Sequence, residues 1–296
     1  MLPKPEASKL KIPRPIRILI KKKSGIFSLT ILSIFTIMAT IGVEMIPKEA
    51  LYRNPSIASL PPSWEHPLGT DWSGRDIFAL IIYGSRSVMF ISFLGASFTV
   101  LIGSTIGIAA GYLGGKIDKI LGVITDIALT LPGIVLFIVL ASFFRRTDNI
   151  TFSFLLSITA WGGLARALRS QTLSLKQQEF IEAAKAIGLS AFHIIFREIM
   201  PNLLPYIGTN FLFAVIYCIY MSVGLFYLGL TTPDIGVTNW GMMLNQAISQ
   251  GIIMIKNPMH IVFLLAPITA IILLTVSLVL LAGIKELFNP RLSEEE

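Results

Sequence analysis

Charge is scarce in this sequence. Asp, Glu, Lys and Arg make up only 14% of its 296 residues, while 54% are hydrophobic. A soluble domain of ordinary composition carries roughly 25% charged residues. The block Gly25–Ile46 contains a single charged residue, Glu44. A helix needs about 20 apolar residues to cross a bilayer core of ~30 Å. Because several such blocks recur, the sequence indicates an integral membrane protein, not a soluble protein with one buried helix.

Residues that carry catalytic or metal chemistry are also rare or scattered. The single cysteine, Cys218, lies in an apolar block and excludes an intrachain disulfide. The three histidines lack the spacing of metal ligands. No Gly-x4-Gly-Lys-Ser/Thr loop is present, so we expect the chain not to bind ATP. Neither HExxH nor GxSxG occurs, which argues against a protease or esterase. We expect no catalytic residue, metal or cofactor in this chain.

Apolar blocks predict an all-α protein with about six transmembrane helices. The expected spans are about 25–46, 87–113, 119–144, 151–166, 202–229 and 259–284. They divide the chain into a basic segment 1–24, a first helix 25–46, an outer segment 47–86, a five-helix core 87–284 and a tail 285–296. The core contains a polar loop, 167–201, and a second outer segment, about 230–258, precedes the last span.

The distribution of positive charge predicts the orientation. The net charge of +7 could suggest nucleic acid, but eight Lys and Arg precede Ser24 and directly flank the first apolar block. If both termini are cytoplasmic, 17 of the 24 Lys and Arg lie on the cytoplasmic side, in line with the positive-inside rule. The first block is too long for a signal peptide and shows no clear cleavage site. We therefore expect cytoplasmic termini, a retained first helix, and a bilayer as partner, not nucleic acid.

The polar loop 167–201 predicts two short helices joined by a glycine. Helix formers fill Glu179–Ile187, and Gly188 can end that helix in the left-handed conformation. Ser190 can cap a second helix, whose apolar positions recur at helical spacing, namely Phe192, Ile195, Phe196 and Ile199. Such an elbow could fit a groove on another protein or merely cover the helical bundle, and its residues alone leave both interpretations open.

This loop resembles a family motif. The run Glu182-Ala183-Ala184, followed by Gly188 and then Pro201 at the motif's spacing, resembles the EAA loop of ABC importer permeases. In that family the loop is a coupling helix that docks on an ATPase subunit. The resemblance implies that role for Glu182, Ala183, Ala184, Ala186, Gly188, Leu189 and Ser190. The end of the motif departs from the pattern, because Glu198 and Met200 stand where the family has Ile and Leu.

Further segments resemble, in chain order, the second or C-type permease of the dipeptide, oligopeptide and nickel importers. These segments are His66–Asp71, Gly74–Asp76, Tyr83–Arg86, Gly111–Gly115 with Asp118, Asp126 with Pro132, Leu228–Leu230, Trp240–Gly241 with Met243–Leu244, and Asn289–Leu292. Together they extend over nearly the whole chain.

The resemblance implies a type I ABC importer permease fold and one half of a heterodimeric pathway. The implied partners are a homologous second permease, two ATPase subunits that bind ATP and Mg²⁺, and an extracytoplasmic substrate-binding protein. Candidate contacts at the outer face are His66, Asp71, Arg75 and Asp76, although a purely structural cap is an equal alternative. Candidate residues of the pathway or of the subunit interface are Asp126, Tyr217, Tyr220, Ser222 and Tyr227.

The solute and the energy source have alternatives. Short peptides are the commonest cargo of this branch, but Ser222 stands where peptide relatives often have an acid, and the late spans offer neutral tyrosines. An oligosaccharide or a metal chelate would suit such a lining as well. Asp126 within a span could instead indicate an ion-coupled secondary transporter, or it could bond a neighbouring helix. A membrane anchor is a third role. The EAA loop favours the ABC permease over the secondary transporter, and the family resemblance favours it over the anchor.

Overall fold

The computed structural model describes residues 19–143, 148–230, 238–251 and 257–284, and its regular structure there is helical apart from one isolated bridge between Thr70 and Asp76. Five of the eight N-terminal basic residues, from Lys4 to Arg17, and the Asn289–Leu292 motif lie outside these ranges. The helices are α1 (Lys23–Met45), α2 (Ile77–Leu113), α3 (Gly115–Thr130), α4 (Gly133–Phe143), α5 (Asn149–Lys176), α6 (Glu179–Ala186), α7 (Ala191–Tyr227), α8 (Trp240–Ser249) and α9 (Pro258–Ala282).

Five of these helices, α1, α2, α5, α7 and α9, are long and apolar enough to cross a membrane. The pair α3 and α4 is bent by 90° and makes a sixth span if it is counted as one. The predicted all-α fold with about six spans is therefore confirmed. The bend follows from Pro132, which disfavours helical geometry at the preceding residue, and Leu131 is accordingly extended, with φ −82° and ψ 125°.

Helix α2 begins at Ile77, ten residues before the expected start of the second span. The sequence analysis placed residues 77–86 in the outer segment, but they form the first turns of α2 and pack against other helices. Ser85 is buried and donates to the Ile82 carbonyl at 2.6 Å, and a Cβ on Gly84 would lie 2.5 Å from the Trp240 ring. The boundary at residue 86 therefore falls inside a helix, which Asp76 caps by accepting from the Ala79 N–H at 3.0 Å.

Helix α5 spans Asn149–Lys176, whereas the sequence predicted a short span, 151–166. The basic residues at its end resembled a cytoplasmic loop, but carboxylates of α3 pair with two of them, as described below. Asp148 caps the helix through the backbone N–H groups of Ile150 and Thr151. A hydrogen bond with the Thr151 side chain, together with these donors, lowers the pKa of the Asp148 carboxyl.

Glycines let α2 and α5 pack in close contact. A Cβ added to Gly103 would meet the Trp161 carbonyl at 3.0 Å, and one added to Gly107 would lie 2.5 Å from the Ala165 carbonyl. Gly111 is similarly close to α5, at Thr172 and Arg169. The four-residue spacing places these glycines on one face, the arrangement by which membrane helices bring their backbones together. Helix α2 is thus the central scaffold, about 55 Å long by its 37 residues.

Three groups of buried apolar side chains surround α2. The largest joins α1, α2, α7, α8 and α9 around Trp240, whose indole donates to the Ile81 carbonyl at 3.1 Å. A second lies near the C-terminal end of α2 and includes residues of α6. The third contains the rings of Phe137, Phe152 and Phe226. The segment 47–76, here called the cap, precedes α2, so the cap and α6 lie at opposite ends of the scaffold helix.

Candidate coupling elbow, cap and pathway surface

The elbow, residues 179–190, has the geometry that its sequence predicts. Gly188 has φ +78°, which is the left-handed conformation. The Leu189 N–H donates to the Ala184 carbonyl at 3.1 Å, and the Gly188 N–H donates to the Lys185 carbonyl at 3.0 Å. These two bonds form a Schellman ending, which satisfies carbonyls left open at a helix C-terminus. The turn after α6 is therefore fixed by backbone bonds, with glycine at the position that favours it.

Helix α6 presents two different faces. Ile181 and Ala184 are buried against residues of α2, α5 and α7, among them Ile108, Leu168 and Leu203. Glu182, Ala183, Lys185, Ala186 and Gly188 are exposed. Of the two small residues expected to permit close approach of a partner, Ala183 is thus available and Ala184 instead lets α6 pack on its own chain.

The chain after the elbow differs from the expected second short helix. Ser190 does act as a cap, because its Oγ accepts from the His193 N–H at 3.2 Å. The helix then continues without interruption into the fifth span as α7, through a wider π-helical turn at Ile194–Ile199. The wider turn shifts the side chains around the axis, so Ile194 and Ile199 are buried. Phe192 and Phe196 of the predicted apolar face are exposed, with ring centroids 4.4 Å apart.

The cap is held together by two carboxylates. Asp71 is fully buried and accepts from the Arg75 Nε at 2.7 Å and from the backbone N–H groups of Ser73 and Arg75. The Arg75 guanidinium also donates to Gln246 of α8 at 2.9 Å. Asp76 caps α2 and its Oδ2 lies 2.8 Å from His66 Nδ1. The four candidate outer-face residues therefore bond one another and α8, which favours the structural interpretation, and their contact with a binding protein stays a prediction.

Asp126 forms an ion pair with Arg166, and Asp118 forms one with Arg169. Both pairs join α3 to α5 along one cleft. They explain how α5 carries basic residues within a span, since a carboxylate on the neighbouring helix faces each arginine. The structural alternative for Asp126 is thereby supported, and its role in the pathway or at the subunit interface stays a prediction. The sequence analysis assigned no role to Arg166, the last residue of the expected fourth span, or to Arg169 in the polar loop, because their partners on α3 are distant in sequence.

Tyr217 lies in an open groove between α2, α5 and α7. Its hydroxyl is 3.4 Å from the Thr159 Oγ1, and Thr99 and Asn210 also line the groove, whose volume is about 390 Å³. Tyr217 lies ten residues from the end of α7, about 15 Å along the helix, which is half of a ~30 Å bilayer core. The groove is uncharged and mostly apolar, with four polar side chains, and this distance along α7 corresponds to the middle of a span. Thr159 and Asn210 were not predicted, because an isolated Thr or Asn in an apolar block gives no distinctive sequence signal.

The other candidate pathway residues do not share this groove. Tyr220 is 55% exposed and donates to Thr275 of α9 at 3.4 Å. Ser222 is fully buried and donates to the Ile219 carbonyl of its own helix at 3.0 Å. The Tyr227 carbonyl accepts from Asn245 of α8 at 2.7 Å. Ser222 therefore faces the interior of this chain. The replacement of the acid found in peptide relatives by Ser222 does not change an exposed surface of the pathway.

Comparison with known proteins identifies the family. Residues 103–294 match the family described as the binding-protein-dependent transport system inner membrane component. The chain belongs to this family. It is therefore a multi-pass membrane protein of the cell membrane that serves as a permease subunit of an ABC importer. The match covers the glycine-packed part of α2, the elbow and the Tyr217 groove apart from Thr99.

Relatives of the permease include peptide transporters. It is 33% identical over 228 residues to the dipeptide transport system permease protein DppC of Bacillus subtilis, covering 77% of this chain and 71% of that protein. It is 33% identical over 232 residues to the oligopeptide transport system permease protein OppC of Haemophilus influenzae, covering 78% of this chain and 74% of the relative. OppC of Lactococcus lactis subsp. cremoris is 29% identical over 250 residues. These relatives confirm the resemblance to the C-type permeases.

A solved structure confirms the fold of the permease. The inward-facing MetNI methionine ABC transporter has a chain that aligns with a TM-score of 0.53 at 18% identity, covering 69% of this chain and 96% of that one. This likeness supports the type I importer permease fold that the sequence predicted.

Proposed function

We propose that this permease forms one half of the translocation pathway of an ATP-driven importer of short peptides. Its partners are a homologous second permease, two ATPase subunits that bind ATP and Mg²⁺, and an extracytoplasmic substrate-binding protein. Both termini lie in the cytoplasm. The observation that carries the proposal is the elbow, whose exposed face is free to dock while its opposite face is packed on the spans. The proposal of peptides as the solute follows from the names of the dipeptide and oligopeptide permease relatives.

The elbow suits transmission of movement. Ile181 and Ala184 connect α6 to α2, α5 and α7 through one buried cluster, and α7 continues directly from the elbow past Tyr217. A displacement of α6 by an ATPase would therefore move the helix that lines the mid-membrane groove. The pathway would alternate between two packings, with nucleotide binding at the partner shifting their populations.

The groove around Tyr217 suits a peptide backbone. Thr99, Thr159, Asn210 and Tyr217 offer hydroxyl and amide groups, which donate to and accept from peptide amides. The same groups would serve sugar hydroxyls, so an oligosaccharide is the second candidate. A thermal-shift assay of the binding protein against di- to pentapeptides and gluco-oligosaccharides decides between them. Peptides should stabilise it, whereas stabilisation by sugars alone would reject the peptide solute and leave the permease role intact.

Cysteine labelling tests the orientation. Ser63 of the cap and Lys185 of the elbow are both exposed. In a Cys218→Ser background, Ser63→Cys should react with an impermeant thiol reagent added outside intact cells. Lys185→Cys should react only after the cells are opened. Labelling of Lys185→Cys in intact cells would overturn the proposed topology.

A further inference from the structure

Two neighbouring cavities flank the contact between α1 and α2. The first lies at the Met45 end of α1, has a volume of about 420 Å³, and is lined by charged and polar side chains that include Glu44, Lys48 and Arg86. The second has a volume of about 440 Å³ and runs along the two helices, lined by Thr36, Ala39, Thr40, Met89 and Phe93. Arg86 and Phe90 line both, so a charged site continues directly into an apolar groove.

The charged site and the groove together extend over most of one leaflet of a bilayer. Thr36 precedes Glu44 by eight residues, which is about 12 Å along a helix. Half of a bilayer core is about 15 Å. Glu44 is the residue before the end of α1, so the charged site lies at the level where the span leaves the apolar core. The polar site therefore lies at headgroup depth and the groove at acyl-chain depth.

The charges at the first cavity suit a phosphate. Glu44 pairs with Arg86 at 3.0 Å, and both side chains are more than half exposed. Lys48 adds a second cation, so this group of three carries a net positive charge. A guanidinium has five N–H donors, and one bond to Glu44 leaves others for a phosphate oxygen. Tyr83, Ser87 and Asn149 supply neutral polar groups around them.

We propose that this site binds a glycerophospholipid, with its phosphodiester at Arg86 and Lys48 and one acyl chain in the groove beside Thr40 and Phe90. The combination of a cationic site at headgroup depth with an apolar groove beside it at acyl-chain depth is complementary to a phospholipid. The site is independent of the transported solute and of the side of the membrane on which the termini lie. A lipid bound there would fix α1 against α2.

The test uses the assembled importer, purified in detergent and analysed by native mass spectrometry with phosphatidylglycerol as the added lipid. Thr40→Trp fills the groove, and the matched control Ile41→Trp places the same bulk on an exposed position of α1 that does not line it. Thr40→Trp should retain one phospholipid fewer per complex than Ile41→Trp. Lys48→Ala, which keeps the Glu44–Arg86 pair, should weaken phosphatidylglycerol binding about ten-fold.

Three results would overturn the proposal. Equal lipid retention in Thr40→Trp and Ile41→Trp, with unchanged binding in Lys48→Ala, would show that no lipid occupies the groove. Glycerophosphoglycerol, which lacks acyl chains, should not raise the melting temperature, and stabilisation equal to that by phosphatidylglycerol would indicate an anion site alone. Loss of the second permease from Thr40→Trp at unchanged lipid retention would assign the groove to the subunit interface.

Discussion

The cap and the elbow use similar residues in opposite ways. Gly74 of the cap and Gly188 of the elbow both have positive φ, +77° and +78°. A Cβ on Gly74 would lie 1.8 Å from the Asn54 carbonyl, whereas a Cβ on Gly188 would meet no atom within 4 Å. The charged motif residues of the cap bond inward, while those of the elbow are exposed. Motif residues therefore specify packing at one end of the molecule and an open surface at the other.

The largest expected effect is a difference in stability between variants of Gly74 and Gly188. Gly74→Ala combines positive φ with a direct backbone clash, so we expect a loss of stability on the order of 3–5 kcal/mol and little assembled permease. Gly188→Ala adds only the conformational cost, about 1 kcal/mol, and should leave the permease folded. Size-exclusion profiles of the two variants after heating would measure the difference. Similar melting temperatures would contradict the contrast between a packed cap and an open elbow.

The next effect concerns the buried ion pair of the cap. Arg75→Met would leave the buried Asp71 carboxylate without its partner, which typically costs about 3 kcal/mol or more. Arg53 is an exposed arginine of the same segment, so Arg53→Met is the matched control and should change stability by less than ~0.5 kcal/mol. Thermal unfolding in detergent compares them.

Arg75→Met also tests whether the cap receives the binding protein. A structural cap predicts that basal ATPase activity and its stimulation by the binding protein fall together. A receptor contact at Arg75 predicts that stimulation falls more than basal activity. The ratio of stimulated to basal activity, relative to Arg53→Met, distinguishes these roles.

The contrast between a packed and an open surface also occurs within α6, at two adjacent alanines. Ala184 is buried and Ala183 is exposed. Ala184→Leu would overpack the buried cluster through which α6 contacts α2, α5 and α7, and should lower the free energy of unfolding by about 1–3 kcal/mol. Ala183→Leu should leave the melting temperature unchanged. If the exposed face docks on an ATPase, Ala183→Leu should nevertheless reduce co-purification of that subunit. Equal loss of stability in both variants would contradict the assignment of the two faces.

Sequence reasoning succeeded where one local rule decides the structure. The apolar blocks predicted the spans, and Gly188 and Ser190 predicted the turn and the cap that the structure contains. It failed where the deciding partner is distant in sequence. Arg166, the last residue of the expected fourth span, was assigned no partner because Asp126 lies forty residues away on α3.

The same limit applies to the faces of the elbow and the pathway. Helical spacing placed Phe192 and Ile199 on one apolar face, but the π-helical turn between them separates their directions. Ser222 was a candidate for the lining because of its place in the motif, and burial was visible only once α7 was packed. Spacing along one helix therefore predicts local structure, while exposure to a partner or solute requires the tertiary contacts.

The smallest effect on stability is expected at two exposed apolar residues, Ile187 of the elbow and Phe192 at the start of α7. Ile187 is 76% exposed and Phe192 is 72% exposed, so replacing both by Ser removes little packing within the chain beyond the Phe192–Phe196 ring contact. Stability should change by less than ~0.5 kcal/mol. Apolar side chains that are exposed outside the membrane-spanning part of a membrane protein are typical of a protein interface. The double variant should therefore insert and fold normally but lose ATPase co-purification and uptake. Trp64→Ser, at a fully exposed residue of the cap, is the control and should retain the ATPases. Normal ATPase retention in the elbow variant would show that this surface is not where the partner docks, whatever the solute.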